Sequence, residues 1–165
     1  MVSKLKCPGC GALFSSNDSS LSQTYHASSA CEGQYHELSA WLWSKDAESF
    51  PKQYAVDAYG AQHVGPTTKD IRVAFSLIGL YLAVEKGYTG KMVQEAHQKL
   101  AQKKIVWPHF GAPATPYTVT VVDVLKRTSP QDHLLALNAW SADVWRNWGA
   151  EKQAWTRALC QRYLF

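Results

Sequence analysis

The sequence predicts an all-α fold, an antiparallel bundle of about five or six helices with a cysteine-rich loop at its N-terminus. Two observations carry this prediction. From His36 onward the apolar residues recur with helical spacing, and helix start and stop signals divide the chain into segments with short links. We find no internal repeat, no alternation of strands with helices and no convincing pair of strands.

Residues 1–35 differ in composition from the rest of the chain. They contain three of the four cysteines, and between Ser15 and Ser22 they are rich in Ser, Asn and Asp, which favour turns. Such a segment has no apolar core of its own. Residues 1–35 therefore need an additional interaction that holds them against the remainder of the protein, and a bound metal ion would provide it.

Two helices are predicted to follow. The spacing of Leu38, Trp41 and Leu42 predicts a first helix that ends near residues 50–51. A second helix ends at the Val-Gly-Pro sequence of residues 64–66, because neither glycine nor proline favours its continuation.

The next segment is the most apolar in the chain. Residues 69–86 are apolar nearly all round a helix, which is typical of a central, buried helix, and Gly87 ends it. Residues 90–104 then form an amphipathic helix. We expect His97 on this helix, and His109 in the proline-containing loop after it, to lie at the surface.

The C-terminal third contains one ambiguous segment and one clear helix start. The β-branched residues of segment 118–125 favour a strand, but a lone strand would have no partner, so we predict a short helix capped by Thr118 or Thr120. Ser129 caps a final helix that runs almost to residue 165, with Gly149 as a kink or a break. Three tryptophans on it are expected to pack in the core or, alternatively, to line a pocket: Trp140, Trp145 and Trp148.

Composition limits the classes of protein that fit this chain. With 165 residues, 46% of them hydrophobic, we expect a single domain over residues 1–165, in which segment 1–35 packs on a bundle formed by 36–165. No apolar run approaches the roughly 20 residues of a membrane helix. A net charge of +4 is too low for a dedicated nucleic-acid-binding protein. We find no secretion signal, so we expect a reducing, cytoplasmic location without disulfides.

Cys7 and Cys10 form the strongest chemical signal, a Cys-Pro-Gly-Cys-Gly sequence. Two thiolates in such a tight turn can bind one metal ion, and zinc is the ion that most often takes four ligands of this kind. A redox pair is the alternative, but the strand-then-helix setting typical of such pairs is absent here. The motif therefore predicts a Zn²⁺ site.

A tetrahedral site needs two further ligands. Cys31 is the natural third ligand, because a loop of this length can bring it back to the cysteine pair. The spacing leaves the fourth ligand open among His26, His36 and His63. Cys160 is expected to be a buried thiol on the last helix.

The residues of the cysteine motif belong to a longer pattern. The segments 7–12 (CPGCGA) and 56–63 (VDAYGAQH), with Cys31 between them, resemble an uncharacterised family of small bacterial proteins with an N-terminal CPGCGA knuckle and a VDAYAAQH-type helix. The resemblance continues through the central helix to His133 and the tryptophans, and so covers nearly the whole chain. The family has no established activity to carry over.

The resemblance bears on the fourth ligand. The family pattern has a histidine at the position of His63 and none at that of His36, which favours Cys7, Cys10, Cys31 and His63 as the metal ligands. This chain departs from the pattern at Lys52 and Ser76, where the family tends to have histidines. If those histidines formed an active site, part of it is missing here.

Four polar residues fall within two turns of the second helix: Asp57, Tyr59, Gln62 and His63. One interpretation makes His63 a metal ligand whose ring is oriented by a neighbouring carboxylate or phenol. The other makes these residues a polar contact, with Asp57 accepting hydrogen bonds from the cysteine turn.

The function predicted is that of a small zinc-binding helical protein in which the metal is structural. Three thiolates and one imidazole complete a tetrahedral site and leave no position for water. This favours a binding or interaction module, whose partner, a protein or a small molecule, stays open. The alternative is a small zinc-dependent, hydrolase-like enzyme with its site around Asp57, Tyr59 and His63.

Overall fold

A computed structural model describes residues 3–43, 49–115, 117–127 and 129–165. The predicted all-α class is confirmed, since helices dominate this part of the chain. The helices, in chain order, are α1 (Ser29–Trp43), α2 (Lys52–Gln62), α3 (Asp70–Val84), α4 (Gly90–Ala101), α5 (Val121–Leu125), α6 (Pro130–Asn147) and α7 (Gly149–Tyr163). Among the described residues, no helix combines the length and the apolar composition needed to cross a membrane.

A small antiparallel hairpin precedes the helices. Strand β1 (Lys4–Lys6) pairs with β2 (Leu13–Ser15), with Leu5 opposite the buried Phe14. The expectation of no strand pair was wrong. Strands of three residues are too short to show an alternating pattern in the sequence, and the cysteine turn itself forms the connection between them.

Helix α1 begins at Ser29, earlier than the predicted start at residue 36. The hydroxyl of Ser28 accepts a hydrogen bond from the backbone N–H of Cys31 at 3.2 Å, so a serine caps the helix as Ser commonly does. Cys31 therefore lies in the first helical turn and not in a loop. The predicted end near residues 50–51 depends on residues 44–48, which lie outside the described residues.

Helices α2 and α3 pack closely because glycines face the contact. A Cβ atom added at Gly60 would lie 2.5 Å from the Oγ of Ser76, and one added at Gly79 would collide with the carboxyl group of Asp57. Helix α3 has nine buried residues, among them Leu77 and others of the central apolar run, which confirms its predicted central position.

The C-terminal helices pack on this pair. Thr120 and Asp123 cap α5 reciprocally, which confirms the short helix over the strand. Gly149, with a φ of 85°, separates α6 from α7, as its position suggested. The indole N–H of Trp148, the residue between α6 and α7, donates to the carbonyl oxygen of Ala61 in α2 at 3.2 Å. Trp140 and Trp145 are also buried in the core.

Candidate metal centre

Four side chains predicted as metal ligands lie together at the N-terminal edge of the bundle. The ligand atoms of Cys7, Cys10, Cys31 and His63 are all within 4.8 Å of one another, and all four residues are buried. The hairpin contributes the first two, the first turn of α1 the third and the end of α2 the fourth. The cluster could therefore hold a metal ion.

The turn that carries the cysteine pair depends on two glycines. The backbone N–H of Gly11 donates to the carbonyl of Cys7 at 2.9 Å, and its φ of 79° is one that glycine adopts without strain. Gly9 packs on the ring of His63. A Cβ atom at this position would lie 2.6 Å from the His63 Cδ2 and would also collide with the carbonyl oxygen of His26.

The spacing of the donors fits tetrahedral coordination. The sulfur atoms of Cys10 and Cys31 lie 3.8 Å apart, and the Cys31 sulfur lies 3.4 Å from the Nε2 of His63. Bonds of about 2.3 Å from zinc to sulfur and about 2.0 Å to nitrogen would set these two separations at about 3.8 Å and about 3.5 Å. A disulfide would need about 2.05 Å between sulfurs, and all four cysteines are free.

Hydrogen bonds orient the donors. The Nδ1 of His63 lies 2.8 Å from the carbonyl oxygen of Tyr59 and donates to it, which leaves the lone pair of Nε2 facing the sulfurs. The Tyr59 hydroxyl donates to the Cys31 sulfur at 3.4 Å, and the Tyr59 ring stacks on the His63 ring with 3.9 Å between centroids. Tyr59 therefore contacts a sulfur of the cluster directly. Its position in the sequence does not reveal this contact.

The three thiols ionise unequally. Hydrogen bonds from the Cys10 and Cys31 thiols hold the pKa of Cys7 far below its usual range. The hydrogen bond with Cys31 lowers the pKa of Cys10, but the Cys7 sulfur and burial raise it more, to about 12. Hydrogen bonds with Cys10 and Cys7 raise the pKa of Cys31 above its usual range. Three thiolates can share such a small space only around a cation.

The other candidate ligands lie elsewhere. His26 and His36 are exposed and take no part in the cluster. His26 touches it only through the backbone, where its N–H donates to the carbonyl of His63 at 3.1 Å. Cys160 is buried on α7, away from the cluster, as its sequence position suggested.

Asp57 has a different environment from the one predicted. Its carboxyl group accepts hydrogen bonds from the side-chain amide of Gln53 at 3.2 Å and does not bind the cysteine turn, so that interpretation was wrong. Asp57 lines a cavity together with Ser76 and His97. The expected surface position of His97 was also wrong, because its ring is half-buried and stacks on Phe75.

A helical protein with a buried Cys3His cluster between its N-terminal hairpin and its bundle is the class that fold and site define. The chain belongs to a family of unknown function, DUF5946, whose family model matches residues 5–149. The resemblance to a family without an assigned activity is therefore confirmed. Comparison with curated proteins gave no match, and neither did comparison with solved structures.

Proposed function

We propose that Cys7, Cys10, Cys31 and His63 bind one Zn²⁺ ion, and that this ion is structural. The observation that carries the proposal is the spacing of the donors, 3.8 Å between the Cys10 and Cys31 sulfurs and 3.4 Å from the Cys31 sulfur to the His63 Nε2. Burial of all four residues supports a site without a bound water, as structural zinc sites are.

A structural ion suits the position of the cluster. The hairpin has few apolar residues, and the ion would bind it to two helices of the bundle at once. On this view the protein is a zinc-stabilised binding module of the cytoplasm, with a protein or small-molecule partner. The other candidate, a zinc-dependent hydrolase using Asp57 and Tyr59, has less support, because the Tyr59 hydroxyl donates to the Cys31 sulfur and is engaged there.

The test is the metal content of protein purified without chelator or added metal, measured by elemental mass spectrometry. We expect about one zinc per chain in the wild type and loss of zinc in Cys31→Ser and His63→Ala. Cys160→Ser is the matched control, since it removes an equally buried thiol outside the cluster. It should keep its zinc.

Replacement with Co²⁺ provides a second measurement. A tetrahedral site with three sulfur ligands gives intense visible and near-ultraviolet absorption, whereas a site with bound water and higher coordination gives weak bands. Zinc retained in His63→Ala would show that His63 is not a ligand and would favour the catalytic interpretation. Absence of metal from the wild type, with no uptake of added Zn²⁺ or Co²⁺, would overturn the proposal.

A further inference from the structure

A cavity of about 360 Å³ lies between α2 and α3, beside the candidate metal centre. Its walls are apolar or aromatic, formed by side chains that include Tyr25, Ile71 and Phe75. Asp57 lies in it with Gln53, Ser76 and His97. Its size and its mixture of apolar walls with a few polar groups are typical of a small-molecule site.

The carboxyl group of Asp57 is short of hydrogen-bond donors. Asp57 is 3% exposed, yet among the described residues its two oxygens share a single donor, the Gln53 amide, at 3.2 Å each. A buried carboxylate can accept about four hydrogen bonds, and leaving them unmade is unfavourable. Asp57 therefore lacks the partners that a purely structural carboxylate would have.

A second buried aspartate, Asp143, provides a comparison with Asp57 in the same protein. Asp143 is equally buried, at 2% exposed, but it accepts hydrogen bonds from five donors at 2.8–3.3 Å. They are Thr118 N–H and hydroxyl, Val119 N–H, the Arg146 guanidinium and the Asn147 amide. Asp143 lies outside the cavity, and its five hydrogen bonds are those of a structural carboxylate. Asp57 lies in the cavity and lacks such partners.

Two further polar side chains of the cavity, His97 and Ser76, are also able to accept hydrogen bonds. The Nε2 of His97 donates to the carbonyl of Phe75 at 2.9 Å, which leaves Nδ1 as an acceptor. The Ser76 hydroxyl makes no hydrogen bond within the part of the chain that the structure describes. The guanidinium of Arg72, also at the cavity, is engaged with the Tyr25 ring and the carbonyl of Thr24.

From this geometry we propose that the cavity binds a small organic amine, with its ammonium group on Asp57 and its apolar body against Ile71 and Phe75. An ammonium group supplies one positive charge and three hydrogen-bond donors. The charge would pair with the Asp57 carboxylate, and the donors would bind Asp57, the Ser76 oxygen and the His97 Nδ1. This proposal goes beyond the structural metal site and does not require a bound metal.

The test uses three probes of similar shape that differ in charge. 2-Phenylethylamine, 2-phenylethanol and phenylacetate are each titrated into the purified full chain, with binding followed by NMR chemical shifts and calorimetry. We expect the amine to bind at least tenfold more tightly than either other probe. The resonances of Ile71, Phe75 and His97 should move, while those of Phe110, buried elsewhere in the core, should not.

Asp57→Asn should weaken amine binding at least tenfold. The matched control is Asp70→Asn, which removes the same charge from a half-buried residue outside the cavity, paired with His109, and should leave the affinity unchanged. The wild-type measurements with the three probes decide the matter independently of this variant. Equal affinity for the three probes, preference for phenylacetate, shifts confined to other regions, or absence of binding would each overturn the proposal.

Discussion

The Nδ1 of His63 and the carbonyl oxygen of Tyr59 lie 2.8 Å apart, one helical turn from each other at the end of α2. This hydrogen bond assigns the ring proton to Nδ1 and turns Nε2 toward the sulfur of Cys31. Tyr59 thus acts on the cluster twice, since its hydroxyl donates to the same sulfur. The end of α2 thus orients a histidine nitrogen toward the cysteine sulfurs, as the support of a metal ligand would.

The first prediction concerns that hydroxyl. Tyr59→Phe keeps the ring stacked on His63 but removes the donor to the Cys31 sulfur. Because loss of such a supporting hydrogen bond commonly lowers metal affinity by about 10–100-fold, we expect zinc affinity to fall by about tenfold. Competition with a chromophoric chelator measures it.

Tyr35→Phe is the control for this substitution. Tyr35 stacks on Tyr59 with 4.1 Å between centroids and has no hydrogen bond to a sulfur of the cluster within the described chain. It should bind zinc as the wild type does. Equal zinc affinity in Tyr59→Phe and wild type would show that the hydroxyl contributes nothing to the site.

The second prediction concerns Gly9. A methyl group at this position would be forced against the His63 ring and the His26 carbonyl, so Gly9→Ala should displace the cysteine turn and lower both zinc content and thermal stability. Gly33→Ala is the control. Gly33 lies within α1 with open space around it, and alanine there should raise stability by about 0.5–1 kcal/mol.

Both variants are compared by elemental analysis and by thermal unfolding. The same change from glycine to alanine should lower the thermal stability at Gly9 and raise it at Gly33, and this difference in sign is what the comparison tests. A Gly9→Ala protein with full zinc content and unchanged unfolding temperature would contradict the packing described for the turn.

The third prediction is a pH dependence. Burial raises the pKa of Asp57 well above its usual range, against a smaller lowering by the Gln53 amide. The folded protein thus holds this proton more tightly than the unfolded chain, whose pKa is about 3.9. Stability associated with Asp57 is complete below that value and is lost as pH rises toward the folded pKa. Asn does not titrate, so the stability of Asp57→Asn relative to wild type should increase as pH rises above about 4.

Asp143→Asn provides the contrast in the same urea titrations. Burial raises the pKa of Asp143, but hydrogen bonds from Thr118, Val119 and Arg146 lower it more, and the net direction is down. Its stability contribution is complete above about pH 4 and is lost only at lower pH. Asp143→Asn should therefore be destabilised by a constant amount between pH 5 and 8. A constant difference for Asp57→Asn as well would contradict the assignment of Asp57.

The fourth prediction concerns a buried amide that joins three elements. Gln62 accepts from the indole N–H of Trp140 at 3.1 Å and donates to the carbonyl of Val119 at 2.7 Å. Gln62→Met leaves the buried Trp140 N–H and the half-buried Val119 carbonyl without this partner and should lower the free energy of unfolding by about 1–3 kcal/mol. Chemical denaturation measures it.

A double-mutant cycle isolates the bond to Trp140. Adding Trp140→Phe to Gln62→Met removes the orphaned N–H, so the two effects should be less than additive by about 1 kcal/mol. Full additivity would mean that this hydrogen bond contributes nothing to stability.

The cysteine part of the cluster could be predicted from the sequence, while the histidine could not be chosen from spacing. Cys7 and Cys10 are close in any fold because only two residues separate them. His26, His36 and His63 were all possible partners by length, and only the packing of α2 against the hairpin brings His63 to the sulfurs. The resemblance to other sequences favoured it where local chemistry did not.

The cavity escaped prediction for a related reason. Asp57, Ser76 and His97 come from three helices, and their proximity depends on how closely α2 and α3 approach. Gly60 and Gly79 allow that approach because they have no side chain. A glycine offers no functional group, so a single sequence gives no chemical sign of this role.

The two glycine contacts between α2 and α3 also bear on how the cavity would change over evolutionary time. Gly60 meets the Ser76 hydroxyl and Gly79 meets the Asp57 carboxyl group without room for a methyl group, so neither glycine can be enlarged unless these side chains or the two helices move. If the proposed amine binds, it would enter a cavity whose α2–α3 spacing depends on these two glycines. New selectivity would arise at Ile71 and Phe75, whose side chains can change size without separating the helices.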